Sequence, residues 1–135
     1  MADYKKPLPV ITQESEPYWH AAKAHEFRMQ RCLDCGKFRF PPTNACWYCL
    51  STNTEWAPLS GRGTIWSFTV MHQIYYQGFA DEMPYAVIVV ELEEGPRIAS
   101  NIVDCPREDI RIGMPVQVVF DDVTDAVTLP KFRPS

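Results

Sequence analysis

Four of the five cysteines in this chain fall between positions 32 and 49. They read Cys32-Leu33-Asp34-Cys35-Gly36 and, ten intervening residues later, Cys46-Trp47-Tyr48-Cys49. A Cys-x-x-Cys sets two thiolates on one tight turn, and each turn supplies half of a tetrahedral sulfur site. Gly36 directly follows the first pair, where the backbone must fold back under a metal and a side chain would be in the way. Two such turns joined by a short hairpin make a zinc ribbon.

Other uses of the thiols fit less well. A disulfide framework suits a secreted chain, but Met1 to Val10 carries lysines and prolines with no apolar run, so a cytoplasmic protein is expected. A thioredoxin-like redox pair needs one Cys-x-x-Cys beside a βαβ pattern; here there are two pairs and no such pattern. The same four thiolates accept iron, as in rubredoxin, and spacing does not separate the two metals. Intracellular zinc ribbons are the commoner case, so structural Zn²⁺ is the expected cofactor, held by Cys32, Cys35, Cys46 and Cys49.

At 135 residues and 46% apolar content, the chain has material for one domain or two very small ones. Its longest apolar run, Ala86 to Val90, is strand-sized, and nothing approaches the roughly 20 apolar residues of a membrane span. Charge divides unevenly. Residues 1–60 hold seven Lys/Arg against six Asp/Glu, and residues 61–135 hold six against eleven. An acidic second half argues against a nucleic-acid surface, which needs clustered cations.

The pattern predicts a mainly β chain in three parts: an arm and helix over 1–25, a four-cysteine ribbon over 26–59, and a five-stranded OB-fold barrel over 60–135. Ser15 or Glu16 opens a helix with Pro17 in its first turn, running through about His25. Tyr18 and Trp19 are adjacent and cannot share one narrow face. Phe27 and Met29, then Phe38 and Phe40, alternate with polar residues as hairpin arms around the first cysteine pair. Arg28, Arg31, Lys37 and Arg39 make the ribbon locally basic, read as a solvated face with phosphate contact as the sharper option. Trp56 lies in a short strand, and Gly61-Arg62-Gly63 marks the entry to the barrel.

The barrel strands are expected at Thr64–His72, Tyr85–Leu92, Arg97–Val103, Pro115–Phe120 and Ala126–Arg133. Alternation puts Ile65, Ser67 and Thr69 on one side of the first strand and Trp66, Phe68 and Val70 on the other. The Val/Ile-rich second strand reads as a buried central one. Five short strands with an interposed turn segment fit an OB-type barrel, which alone gives no function. Between the first two runs the loop from Gln73 to Pro84 carries Tyr75, Tyr76 and Phe79. Aromatics on a long loop either meet a ligand or partner or fold back over the barrel mouth.

In this order the motifs resemble those of the zinc-ribbon/OB-fold acyl-CoA-associated proteins, long catalogued as a domain of unknown function. The matching phrases are Arg31-Cys32-Leu33-Asp34-Cys35-Gly36, Phe40-Pro41-Pro42, Cys46-Trp47-Tyr48-Cys49 and Ser60-Gly61-Arg62-Gly63-Thr64-Ile65-Trp66. Pro84-Tyr85-Ala86-Val87, Ile112-Gly113-Met114-Pro115 and Leu129-Pro130-Lys131-Phe132-Arg133-Pro134 complete them, so the likeness runs from about residue 17 to 134. The resemblance implies a non-catalytic accessory subunit of a thiolase-like, aldolase-type or hydroxymethylglutaryl-CoA synthase-like enzyme, helping assemble it and complete its acyl-CoA site. Tyr75, Tyr76, Phe79 and Lys131 are candidate contacts to partner or acyl-CoA, chosen on exposure and chemistry.

The residues give no catalytic set of their own. Cys105, the one thiol outside the ribbon, has acidic neighbours that would raise its pKa. His20, His25 and His72 do not repeat at metal-ligand spacing, and Gly61-x-Gly63 lacks the helix a phosphate loop needs. Two other functions are weighed: a single-stranded nucleic-acid-binding OB protein, which needs a basic groove, and a rubredoxin-like electron carrier, which needs iron.

Overall fold

The computed structural model describes residues 4–135, so the start of the predicted arm lies outside the described residues. One helix, α1 (Glu16–Lys23), precedes eight strands. Pro17 sits in its first turn, and Ser15 accepts from the Tyr18 and Trp19 N–H groups through its carbonyl. The helix stops two residues earlier than periodicity predicts. His25 takes a left-handed φ of 61°, while Glu26 and His25 donate back to the Ala21 and Ala22 carbonyls. This is a Schellman termination, normally built on glycine. His25 holds the position through its ring, stacked 5.2 Å from Phe120 and bonded at 3.0 Å to Asp122.

Three strands form the ribbon sheet: β1 (Arg28–Cys32), β2 (Phe38–Arg39) and β3 (Thr54–Pro58), ordered β2-β1-β3 and antiparallel. Five more form the second sheet: β4 (Arg62–Met71), β5 (Tyr85–Leu92), β6 (Arg97–Ser100), β7 (Pro115–Asp122) and β8 (Thr128–Pro134). Their order is β6-β5-β4-β7-β8. The two edges meet where Ile102 bridges Phe132 in parallel and Phe132 exchanges backbone hydrogen bonds with Asn101 and Val103. That closure turns the sheet into a barrel and leaves no long open edge.

Two readings of the barrel strands need correction. The pairing of β4 with β5 shifts between Ile65 and Ser67, so Trp66 is the extra residue of a bulge. A bulge resets alternation; Ile65 and Phe68 both reach the core, and Trp66 stays half exposed beneath the Arg97 guanidinium, 4.0 Å from its ring. The β5 strand is buried on one face only: Ala86, Ile88, Val90 and Leu92 point inward while Val87 and Val89 are half-buried. An antiparallel sheet needs only one covered face.

The ribbon is not packed as a separate body. Tyr18, Phe27 and Met29 share one hydrophobic cluster with Ile65, Ile88, Val90, Val116 and Phe132 of the barrel. Tyr18 is buried and meets Phe40 at 5.0 Å, whereas Trp19 is partly buried beside it. Phe132 is fully buried and stands edge-on to Phe27 at 6.2 Å. Phe132→Ala is expected to cost about 3–5 kcal/mol, read as a lower urea midpoint, with the ribbon and barrel both loosened. A second prediction concerns Asp122, whose carboxyl is held below its usual range first by the Thr128 hydroxyl and then by His25. A depressed folded-state pKa adds stability above the unfolded value and loses it as pH falls through the lowered one. Asp122→Asn should therefore reduce the urea midpoint at neutral pH, with the difference from wild type shrinking as pH drops below 3.8.

Candidate functional site

The two Cys-x-x-Cys turns face each other at one end of the ribbon. In the first, Gly36 donates its N–H to the Cys32 carbonyl and the Cys35 N–H points to Cys32 Sγ at 3.5 Å. In the second, Leu50 donates to the Cys46 carbonyl and the Tyr48 N–H points to Cys46 Sγ at 3.4 Å. The turns are near repeats, and the residue after each second cysteine is left-handed: Gly36 at φ 77° and Leu50 at φ 66°. Crowding is not the reason for Gly36, because an added Cβ would meet nothing closer than Arg31 Nη2 at 3.8 Å. The positive φ is. Asp34 ties the turns together by accepting from the Ser51 hydroxyl and from Asn53 Nδ2.

All four Sγ atoms lie within 4.8 Å of one another, with Cys32 to Cys49 at 3.5 Å and Cys35 to Cys46 at 3.6 Å. A tetrahedral zinc with bonds of about 2.3 Å needs sulfurs about 3.8 Å apart, so the set fits such an ion. The Cys32 thiol is pulled down to about 6, chiefly by the Cys35 N–H. Burial opposes ionisation of Cys46, yet the Cys49 and Tyr48 N–H groups outweigh it and lower that thiol too. At Cys49 the Ser51 N–H favours the thiolate, but Cys32, burial and Cys46 together push the group up. Two thiolates are thus prepared by the backbone, and Cys49 needs a cation to stay deprotonated. Four protein ligands leave no open position, so the centre is structural.

The remaining candidates are dispersed. Tyr75 and Tyr76 are 69% and 59% exposed, so the loop does not fold them over the barrel mouth. Phe79 is half-buried, stacked on Tyr85 at 4.8 Å and capped by Lys6. Lys131 is bonded to Asp121 at 2.6 Å and lies in a cleft with Trp19 and Phe40. Cys105 is half-buried; burial first and Asp109 second push its thiol up, away from reactivity.

Two features escaped the sequence reading. Leu33, Trp47, Tyr48 and Leu50 are all at least half exposed on the tips of the cysteine turns, with Lys37 over the Tyr48 ring at 4.2 Å. Leu33, Trp47 and Tyr48 fill x positions of the two Cys-x-x-Cys turns and Leu50 follows the second, so their apolar identity is the available signal. Arg39 is the second. It was expected on a solvated basic face, yet it is 1% exposed. The ribbon's outer charges are also partly spent internally, with Arg28 bonded to Glu26 at 2.9 Å and Arg31 set 3.8 Å from Glu55.

Comparison with known proteins decides the family. Residues 19–55 match the profile of the rubredoxin-like zinc ribbon domain of ChsH2, and residues 56–121 match the profile of its C-terminal OB-fold domain. The chain belongs to the ChsH2 zinc-ribbon/OB-fold family. Among relatives of this ChsH2 family, a DUF35 domain-containing scaffold protein of Methanocaldococcus jannaschii is 40% identical over 111 residues, 77% of this chain and 78% of that one. A probable enoyl-CoA hydratase alpha subunit of Thermomonospora curvata is 36% identical over 96% of this chain, but the chain spans only 40% of its length. The benzoylsuccinyl-CoA thiolase subunit BbsA of Thauera aromatica is 29% identical over 76% of this chain and 71% of its own. Among solved structures, a chain of the Ltp2-ChsH2(DUF35) aldolase superposes with a TM-score of 0.85 at 36% identity, covering 94% of this chain and 98% of that one.

Removing the metal should release the ribbon. Chelation, or Cys46→Ser, is expected to erase hydrogen-exchange protection over 28–58 while amides of the β4–β5 pair stay protected, because in so small a module ligand binding energy is folding energy. Ribbon protection that persists after complete metal removal contradicts this.

Proposed function

We propose that this chain is a non-catalytic accessory subunit of an acyl-CoA-converting enzyme of thiolase-like or aldolase type, working in the cytoplasm. The observation that carries the reading is the near-complete superposition on a chain of the Ltp2-ChsH2(DUF35) aldolase. The thiolase-subunit name of a relative that aligns over most of both chains points the same way. Among the described residues, the only grouping of three or more His, Cys, Asp or Glu with metal-site geometry is the closed cysteine set, which has no position for a substrate. No helix among them is long and apolar enough to cross a membrane.

In this reading Zn²⁺ holds the ribbon in shape, and residues 26–59 and 60–135 act as one rigid block. The exposed aromatics Tyr75 and Tyr76, together with Trp47 and Tyr48, offer anchors of the kind that dominate interface energetics. Phe79 sets the loop from below, and Lys131, paired with Asp121, lines the cleft beside Trp19 as a candidate acyl-CoA contact at a shared site. Nothing favours a nucleic-acid role, given the acidic barrel, or electron transfer.

Co-expression with each candidate thiolase-like or aldolase-type catalytic chain of the same organism tests the proposal. A stable hetero-oligomer on size exclusion with light scattering is expected, and Tyr75→Ser/Tyr76→Ser should weaken it at least about tenfold, the scale of a hot-spot loss. A monodisperse monomer indifferent to every such chain overturns it.

A further inference from the structure

We propose that the buried guanidinium of Arg39 is the internal counter-charge of the four-cysteine centre and governs how firmly the centre holds its metal. The inference deepens the metal reading and rests on it. Arg39 pairs with Gln30 across β2 and β1, while Cys32 pairs with Thr54 across β1 and β3. Paired residues project to the same face of a sheet, as do residues two apart on a strand. Arg39, Gln30, Cys32 and Thr54 therefore share one face, and Arg39 crosses it, donating through Nη2 to Thr54 Oγ1 at 2.8 Å. The guanidinium thus lies diagonally beside the Cys32 side chain.

Its other bonds reach toward the second cysteine turn. Nε donates to Thr43 Oγ1 at 2.8 Å and Nη2 to the Thr43 carbonyl at 3.2 Å. The Thr43 hydroxyl passes the bond on to the carbonyl of Ala45, the residue before Cys46. Gln30 closes the network by bonding the Thr43 N–H and carbonyl. Every acceptor in it is neutral. Among the described residues no carboxylate pairs with Arg39, and its buried Nη1 has no hydrogen-bond partner. A permanently ionised group is not tolerated so deep without an opposing charge. A divalent ion with four thiolates would carry a net charge of −2, and the register places Arg39 on the sheet face that carries Cys32, one of the four sulfurs. The alternative, that Arg39 only pins the 41–45 loop to the sheet, accounts for the three bonds and leaves the charge without a purpose.

Three single variants separate charge from hydrogen bonding: Arg39→Gln keeps donors without charge, Arg39→Lys keeps charge, and Arg28→Gln serves as a control on β1 at a half-buried arginine already paired with Glu26. Zinc transfer to a colorimetric chelator should run about 10–100-fold faster in Arg39→Gln, the usual scale for a group supporting metal ligands. It should stay close to wild type in Arg39→Lys and Arg28→Gln. Iron-substituted protein gives the second readout. A nearby cation favours the reduced, more negative centre, so Arg39→Gln should have a more negative reduction potential than wild type, and Arg39→Lys should not.

Wild-type release and potential in Arg39→Gln overturn the proposal, as does equal impairment of Arg39→Gln and Arg39→Lys with an unshifted potential. If Arg39→Gln fails to fold in excess zinc while Arg39→Lys folds and holds it, the charge requirement stands; if both fail, it falls. A wild-type protein that binds no zinc and no iron removes the metal reading together with this one.

Discussion

Four sulfurs within 4.8 Å set the constraint on which the first half of the chain depends. As thiolates about 4 Å apart they would repel by about 4 kcal/mol per pair at an effective dielectric near 20. The Cys35 and Tyr48 N–H groups offset part of this, and a bound cation offsets the rest. Around that knot the ribbon has only three short strands, and it closes its hydrophobic side by borrowing the barrel. Strand β1 carries both functions. Cys32 at its end belongs to the metal centre, while Met29 and the preceding Phe27 enter the cluster built on Ile65 and Phe132.

That geometry explains which features were legible in the sequence. The cysteine turns are local objects, fixed by spacing and one positive φ, and their fourfold meeting follows from the doubled motif. Some barrel strands are nearly local too; β5 stops at the Glu93-Glu94-Gly95-Pro96 turn and has the bounds that its Val/Ile run implies. The failures share one cause, which is that burial belongs to tertiary structure. Nothing in Lys37-Phe38-Arg39-Phe40 says that the arginine goes inside, because the alternation fits either face of a two-residue strand. Nor does Ile65-Trp66-Ser67 announce a bulge. It becomes visible only against β5, where Val90 and Val89 face Ile65 and Ser67.

The helix end gives the same lesson on a smaller scale. Helix propensity favours continuing α1 through His25, since no glycine or proline intervenes. The chain turns because the His25 ring stacks on Phe120 and bonds Asp122, contacts 95 and 97 residues away in sequence. Lys23 adds a bond to the Asp125 carbonyl, so the helix is fastened to the far end of the barrel as well as to the ribbon through Tyr18 and Phe40.

These fastenings bear on the accessory role proposed above. Ordering flexible side chains and loops at an interface costs affinity, and a surface already held in its bound shape avoids that cost. The loop bearing Tyr75 and Tyr76 is long, yet its base is fixed at several points. Gly78 lies directly against the Lys5 backbone, where any side chain would collide, and Lys6 pairs with Glu82 at 2.5 Å. Phe79 stacks on Tyr85 at the start of β5, and Arg107 bonds the Pro84 carbonyl at 3.0 Å. The arm, the loop base and the barrel are therefore tied together, and Tyr75 and Tyr76 project from them. On the ribbon, Trp47 and Tyr48 sit on the second cysteine turn, which the Leu50 N–H to Cys46 carbonyl bond and the Tyr48 N–H to Cys46 Sγ contact hold in shape. Both aromatic pairs are presented by backbone that is already ordered, which suits the proposed accessory role.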